Sequence, residues 1–467
     1  MKIVLYGAAG GEVTGSAYHL QTDRASVLVD FGLFQGHHRK AEERNRVLPK
    51  CNLAKLDAVL VTHGHLDHTG RLPLLVQAGY PGPILCSPAT IEMAGLILRD
   101  SAKIQAADNE RVNRKRARAG EEPVTPLYTP EQVETVMDQF TAVPYKDPVA
   151  IAPGIIARFV EAGHMLGSTS IQLTIEAKGR PKTVVFSGDL GPLGAPILKD
   201  FEPFHKADVV LLESTYGDRD HKPFNDTVQE FIAIVKQVVD RKGKILVPTF
   251  AVGRAQLLLT LLAWAFRNKK LPPFPVYLDS PMALAASQIY QLHPELFDEE
   301  MTAFVKQRGV AVDLEMAKSK ISVTAQDSMA LNNAPGPCMI LAGAGMCNAG
   351  RIVHHLRNNL YQPGTAVLIV GYQAEGSLGR QLVDGNKVVS IFGEKVAVKA
   401  SIHTLGGFSA HAGQKDLLAW LGAMSGSRPR VVLVHGEDRA RESFAATIQK
   451  RFRIRAEMPG LGNSIQF

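Results

Sequence analysis

The chain is poor in cysteine. It has four in 467 residues, Cys51, Cys86, Cys338 and Cys347, and none forms a Cys-x-x-Cys pair. That spacing argues against a disulfide framework and a cysteine-built zinc site, and makes a reducing, cytoplasmic compartment the expectation. Long apolar runs are also lacking. The longest, Leu257–Phe266, is ten residues broken by Thr260, whereas a bilayer span needs about 18 or more, so no membrane partner is expected. The opening MKIVLYGAAGG has no basic segment ahead of a long apolar core and reads as a first strand. Internal repeats and low-complexity segments are absent. Neither sign of charge dominates: Lys+Arg 52 against Asp+Glu 45 leaves +7, compatible with a polyanionic partner without requiring one. A hydrophobic fraction of 45% with 21% charged residues excludes disorder as the main state, and the length suggests two or three domains.

What is present is a succession of short β-branched runs, each ending in a polar loop: Ile3–Tyr6, Val27–Asp30, Ala58–Thr62, Ile155–Val160, Ile171–Ile175, Thr183–Phe186 and Val209–Leu212. Their length and their Gly, Pro or Asp borders favour strands, with helices at Leu72–Gln77 and Pro130–Gln139. From about Glu213 to Gly385 longer strand–helix units alternate, as in Ile245–Val247 followed by Arg254–Phe266 and Met339–Leu341 followed by Arg351–Asn358. That alternation predicts a parallel, Rossmann-like sheet. Short runs return at Val388–Phe392, Lys395–Ile402 and Val431–Val434, so one domain is expected to interrupt another. The densest charge run, NERVNRKRARAG at 109–120, reads first as a solvated helix face and second as a surface for a polyanion.

The most specific pattern is THGHLDH at 62–68, directly after the run ending at Val61. With His at 15 in 467, a string H-x-H-x-D-H arises by chance in roughly one chain in a thousand, which makes a mere polar turn a poor explanation. Imidazole and carboxylate suit zinc and similar first-row metals. His63 and His65 can converge on one ion, and Asp67 and His68 point to a neighbouring one. Further donors must come from other strand ends. Candidates are His164 in EAGHMLGST, Asp189 in VFSGDLG, His435 in VLVHGED and Asp30 in LVDFG. Each taken alone reads more readily as an Asp-Gly turn or a strand-end cap; taken with 62–68 they form a ligand set.

The order Asp30, His63-x-His65-x-Asp67-His68, His164, Asp189 resembles the metallo-β-lactamase fold. The later motifs ESTYGDR (213–219), GRAQ (253–256), GAGMCNAGRIVHHL (343–356), GYQAEGSLGR (371–380), GFSAHAG (407–413) and VLVHGE (432–437) are similar to those of its β-CASP branch. That branch includes the endonuclease of eukaryotic pre-mRNA 3′-end processing and its bacterial and archaeal relatives. The resemblance covers essentially the whole chain, in a short, bacterial-like form. It implies an α/β architecture: a metallo-β-lactamase αββα sandwich split into 1–208 and 388–467, with a Rossmann-like β-CASP domain inserted at 209–387.

The resemblance also implies roles. Two Zn²⁺ ions are expected, one held by His63, His65, His164 and Asp189, the other by Asp67, His68, Asp189 and His435. Asp189 bridges them, and Asp30 orients ligands from behind. His411 is the implied general acid, with Glu213 hydrogen-bonded to it, and Asp67 joins these two as a catalytic residue. Ser409, Arg254 and Arg351 are the expected RNA phosphate contacts. A histidine at position 435 marks the RNA-cleaving members, where the DNA-repair branch has valine. Single-stranded RNA is therefore the expected partner, bound at the interface of the two domains and cut by a metal-activated hydroxide to leave 5′-phosphate and 3′-hydroxyl ends. A homodimer would be unsurprising in this family. Two other readings compete: a hydrolase of the same fold acting on a thioester, lactam or small phosphodiester, and a non-catalytic RNA-binding scaffold. The β-CASP motifs argue against the first, and the intact ligand set argues against the second.

Overall fold

A computed structural model describes residues 1–36, 38–308 and 319–467. The chain forms two compact units. One comprises Met1–Gly194, Lys199–Asp220 and His411–Phe467, the other Ala195–Leu198 and His221–Ala410.

The first unit is built on two facing sheets. In spatial order, the seven-stranded sheet contains Ser464–Gln466, Lys2–Leu5, Tyr18–Gln21, Ser26–Val29, Ala58–Leu60, Ile84–Cys86 and Phe140–Ala142. The six-stranded sheet contains Arg430–Val434, Val209–Glu213, Lys182–Phe186, Thr169–Ile175, Ile155–Glu161 and Val149–Ala152. Period-two alternation sorts the side chains. Val209 and Leu211 join Ile3, Val27, Leu60, Phe159 and Ile171 in the core between the sheets. Val210 and Leu212 face the other way, packing with Trp420, Leu421, Phe444 and Ile448 of the helices Gln414–Gly422 and Asp438–Phe452. Burial on both faces is why Val209–Leu212 reads as an unbroken apolar run. On the outer face of the other sheet, Leu28, Val59 and Ile84 pack with Leu74, Leu98 and Val133 from the helices Pro73–Gln77, Pro88–Ala119 and Pro130–Met137. The layers are therefore helix, sheet, sheet, helix, as expected.

The second unit carries a six-stranded sheet in the order Ser319–Ile321, Val276–Asp279, Cys338–Ala342, Lys244–Pro248, Ala366–Ile369, Ser401–Thr404. Every pairing in it is parallel. The helices Phe224–Asp240, Arg254–Arg267, Pro281–Leu292 and Arg351–Asn359 alternate with the strands, the expected Rossmann-like pattern. Two segments sort differently from the sequence boundaries. Val209–Glu213 is hydrogen-bonded on both sides within the first unit, to Lys182–Phe186 and Arg430–Val434. The run Lys395–Ile402 splits: Glu394–Ala397 closes a hairpin with Val388–Ile391, and Ser401–Thr404 adds to the edge of the parallel sheet beside Ala366–Ile369. The compact units accordingly divide near 220 and 410, because backbone pairing decides the membership of a strand.

The strand Ile155–Glu161 provides a stability test. Phe159 is fully buried between the sheets, while Ile156, on the opposite face, is 45% exposed. Phe159→Ala is expected to destabilise by about 3–5 kcal/mol, and Ile156→Ala by less than about 0.5 kcal/mol. Chemical denaturation midpoints would distinguish them, and equal shifts would contradict the layer assignment.

Candidate metal centre

The functional side chains of the first unit sit at the carboxyl ends of co-directional strands. Ser26–Val29 and Ala58–Leu60 are parallel neighbours, leading into Asp30 and into residues 62–68. Lys182–Phe186, Val209–Glu213 and Arg430–Val434 are parallel, leading into Asp189, Glu213 and His435. Ile155–Glu161 runs antiparallel to Thr169–Ile175, which runs antiparallel to Lys182–Phe186. It therefore points the same way and delivers His164. A set scattered over 405 residues of sequence, from Asp30 to His435 (435 − 30), converges for this reason.

One ligand atom from each of His63, His65, His164 and Asp189 lies within 4.8 Å of the others, and the same holds for Asp67, His68, Asp189 and His435. Asp189 belongs to both groups. Its Oδ2 is 3.5 Å from His63 Nε2 and 3.6 Å from His164 Nε2, and its Oδ1 is 3.3 Å from His68 Nε2 and 3.5 Å from His435 Nε2. Four buried atoms here lack a hydrogen-bond partner: His63 Nε2, His65 Nε2, Asp189 Oδ1 and His435 Nε2. Orphaned buried polar atoms each cost about 1–3 kcal/mol. Their convergence fits cations, and the imidazole–carboxylate chemistry fits zinc.

Neighbouring groups set the tautomers. The Thr62 hydroxyl donates to Asp30 Oδ2 at 2.8 Å and lies 3.1 Å from His63 Nδ1. That hydroxyl can then accept from Nδ1–H, which leaves a lone pair on His63 Nε2. Thr215 acts similarly on the other side. Its hydroxyl donates to the His435 carbonyl and lies 3.0 Å from His435 Nδ1. Asp30 Oδ2 is 2.7 Å from His68 Nδ1, and Oδ1 accepts from the Thr62 amide at 2.8 Å. Such contacts behind the ligands fix ring orientation. Asp30 and His435 both adopt left-handed backbone, at φ 59° and 49°, a conformation that costs a non-glycine residue of order 1 kcal/mol.

Charge follows the same geometry. Burial, reinforced by His68, holds the His63 pKa well below the usual value, and burial pushes His65 down to about 4. Both rings remain neutral and available as ligands at neutral pH. Burial opposes the charge on Asp189, but His435, His68 and His63 together hold its pKa well below the ordinary range. Burial likewise opposes protonation of His68, yet Asp189 and Asp30 raise its pKa well above normal. A metal ion would compete with that proton for the His68 ring.

Beside this cluster, His411 Nδ1 lies 3.2 Å from Glu213 Oε1, and His411 Nε2 lies 4.0 Å from Asp189 Oδ2. The Leu190 and Thr215 amides donate to the two Glu213 oxygens at 3.1 and 3.0 Å. Burial works against a proton on His411, but Glu213, joined by Asp189 and Asp67, outweighs it and raises the pKa above the usual value.

The structure thus brings together Asp30, His63, His65, Asp67, His68, His164, Asp189, Glu213, His411 and His435. The three expected phosphate contacts lie in the other unit. Arg351 donates to Asp279 Oδ1 and to the carbonyls of Ser322 and Val323, at 2.7–2.9 Å. Arg254 donates to the Phe408 carbonyl at 2.7 Å. Both guanidiniums make hydrogen bonds within the insert. Ser409 is buried, and its amide closes the turn at Gly406.

Several supporting residues escaped the sequence reading. Besides Thr62 and Thr215 they include Glu161, whose Oε1 accepts from the Ala162 and Gly163 amides at 3.1 and 2.9 Å and shapes the turn before His164. Burial pushes its carboxyl up to about 8. Arg71 is buried over the rings of Phe31 and Phe34 and donates to the Gly32 carbonyl at 2.6 Å. That loop packs so closely on the 67–68 backbone that a Cβ at Gly32 would come within 1.6 Å of the Asp67 carbonyl.

Comparison with known proteins matches residues 10–249 to the Metallo-beta-lactamase superfamily, residues 255–382 to the Beta-Casp domain, and residues 395–459 to the Zn-dependent metallo-hydrolase RNA specificity domain. The chain is 41% identical to Ribonuclease TTHA0252 of Thermus thermophilus over 439 residues, covering 94% of each protein. It is 30% identical to Transcription termination factor FttA of Methanosarcina mazei over 461 residues, covering 96% of this chain and 69% of that one. Among solved structures it is similar to a protein of unknown function from Enterococcus faecalis, with a TM-score of 0.54, 13% identity and 99% of each chain covered. That likeness concerns the fold alone.

The hydroxyl behind His435 provides a test. Thr215→Val is expected to weaken metal affinity about 10–100-fold, measured by competition with a chromogenic chelator, while far-ultraviolet circular dichroism stays unchanged. Unaltered affinity would remove Thr215 from the site.

Proposed function

We infer that this chain, which belongs to the metallo-beta-lactamase superfamily and carries its Beta-Casp domain, is a zinc-dependent ribonuclease that hydrolyses single-stranded RNA. The observation that carries this reading is the shared Asp189, flanked by two donor groups with orphaned atoms and adjoined by the His411–Glu213 pair. His63, His65, His164 and Asp189 would hold one ion, and Asp67, His68, Asp189 and His435 the other. When bound, such ions supply Lewis-acid stabilisation of phosphodiester charge and a water-derived nucleophile at neutral pH. The RNA specificity domain matched at 395–459 and the relative named a ribonuclease support RNA as the substrate. The four free thiols suit a reducing compartment such as the cytoplasm, and no helix among the described residues is long and apolar enough to cross a membrane.

The chain's own residues handle the proton. Glu213, held by two amides, accepts from His411 Nδ1–H, so the acid form is the imidazolium, whose second proton sits on Nε2 facing the cluster. Transfer of that proton to the departing ribose oxygen neutralises the developing alkoxide. Glu213 stabilises the imidazolium before transfer and holds the ring in place throughout. A positioned general acid of this kind contributes about 10²–10⁴-fold.

His411→Ala is expected to lower RNA cleavage by about 10²–10⁴-fold with zinc content unchanged by elemental analysis. A chelator should abolish cleavage by the unsubstituted protein, and the products should carry 5′-phosphates. Chelator-resistant cleavage or cyclic phosphate ends would sink the reading.

The pH profile supplies a further expectation. Because His411 must be protonated and its pKa is raised, kcat/KM falls as pH rises through that raised value. Removing the carboxylate charge in Glu213→Gln lowers the His411 pKa, so the alkaline limb should move to lower pH. A limb that stays in place would assign it to another group.

A further inference from the structure

The helix Pro88–Ala119 has two chemistries along its 32 residues. Its first half belongs to the core, with Met93, Ala94, Leu98 and Ala102 buried. At 93–94 it lies directly against the metal loop, where a Cβ on Gly64 would come to 3.0 Å from Met93 Cβ. Its second half leaves the core and is held by a polar clasp. Gln105, Asn109, Asn113 and Arg116 share one helix face and bind the returning segment 122–127. Gln105 Oε1 accepts from the Leu127 amide at 3.2 Å. Asn113 exchanges two hydrogen bonds with the Val124 backbone, at 2.8 and 2.9 Å, and Asn109 adds one at 3.4 Å. Arg116 Nε donates to the Glu122 carbonyl at 2.6 Å.

The opposite face presents Arg111, Arg114, Lys115 and Arg118, spaced i, i+3, i+4, i+7 and all exposed. None takes part in the clasp. Arg111 lies 2.9 Å from Asp108 and Arg114 lies 3.8 Å from Glu110, solvated pairs that contribute little. Lys115 and Arg118 form no ion pair with any described residue. The arm therefore draws little of its stability from these four charges: two exposed pairs and, at Arg118, a cation in the last turn of the helix.

We propose that this stripe is a docking surface for the phosphate backbone of single-stranded RNA, engaging the strand about 25–36 Å along the helix from the metal loop. The proposal rests on the ribonuclease reading. Cations repeated at one-turn intervals match a chain of repeated point charges. A protein partner would call for aromatic or apolar anchors. The exposed large apolar residues on this half are only Ile104 and Val112. A membrane surface would need an apolar face, and the clasp occupies the only face available.

The test compares the full chain with Arg111→Ala/Arg114→Ala/Lys115→Ala/Arg118→Ala, using fluorescence anisotropy of a long, unstructured, cleavage-resistant phosphorothioate RNA across salt concentrations. The slope of log affinity against log salt should fall by up to about 3, at roughly 0.7 per lost phosphate contact. Replacing the three arginines by lysine should preserve the slope. Cleavage of an oligoribonucleotide too short to reach the arm should keep its kcat/KM, with unchanged circular dichroism showing an intact helix. An unchanged slope overturns the proposal and leaves the stripe to an acidic protein partner. So does a loss of short-substrate cleavage equal to the loss on long RNA. Failure of the unsubstituted protein to cleave any RNA would sink the ribonuclease reading separately, since the binding slope is measured without turnover.

Discussion

One buried carboxylate organises the first unit. Asp189 stands among His63, His68, His164 and His435, each with a nitrogen within 3.3–3.6 Å of an Asp189 oxygen. Burial alone would protonate the carboxyl and expel charge from the rings. The mutual arrangement does otherwise: Asp189 stays ionised, while His63 and His65 stay neutral. His68 answers part of that negative charge, but the neutral rings of His63 and His65 turn unpartnered Nε2 atoms towards the same space. That imbalance gives the orphaned nitrogens a chemical meaning, because cations satisfy the carboxylate and the rings together. Everything around the cluster serves to hold these donors in an arrangement that the bare protein would not choose.

The restraint is distributed over the structure. Strand direction delivers every donor to one edge, and hydroxyls and carboxylates behind the rings select their tautomers. Left-handed backbone at Asp30 and His435 adds a small strain that the double-sided core of the sandwich offsets. The 31–33 loop illustrates the coupling. Phe31 donates to the His68 carbonyl, Gly32 to the Ser16 carbonyl, and Ser16 to the Asp67 carbonyl, each at 2.8 Å, so the backbone of one metal-facing segment is braced by the segment that carries Asp30.

The donor types and their strand-end contexts were legible in the sequence because a metal needs particular atoms, and few residues supply them. The hydroxyls of Thr62 and Thr215 were not. Threonine is common, and its contribution arises only when register places Oγ1 beside an imidazole Nδ1. Glu161 and Arg71 were hidden for a related reason, since an acid and a base in apolar surroundings look like surface residues until burial is known. The strands were legible from β-branched runs, but sheet membership was not. Nothing in the residues SIHT at 401–404 states that their backbone pairs with Ala366–Ile369. Arg254 and Arg351 were legible as guanidiniums at helix starts, but their acceptors, Asp279 and backbone carbonyls, were not, because those partners come from distant sequence.

The long helix shows why a single charge run admitted two readings. A helix beyond the core loses the apolar packing that normally stabilises it, and a stretch of alternating amides and cations looks simply solvated. The structure separates the two components by face. The amides at 105, 109 and 113 replace apolar contacts with hydrogen bonds to the returning chain, a task that side chains able both to donate and to accept perform well. Cations on the opposite face add no packing, and the fold uses them only weakly: exposed pairs with Asp108 and Glu110 and one cation in the last turn of the helix. Residues that a segment hardly needs for its own stability, ordered at regular spacing on a rigid rod rooted at the metal loop, call for an explanation outside the segment, and a charged polymer threading towards that loop provides one.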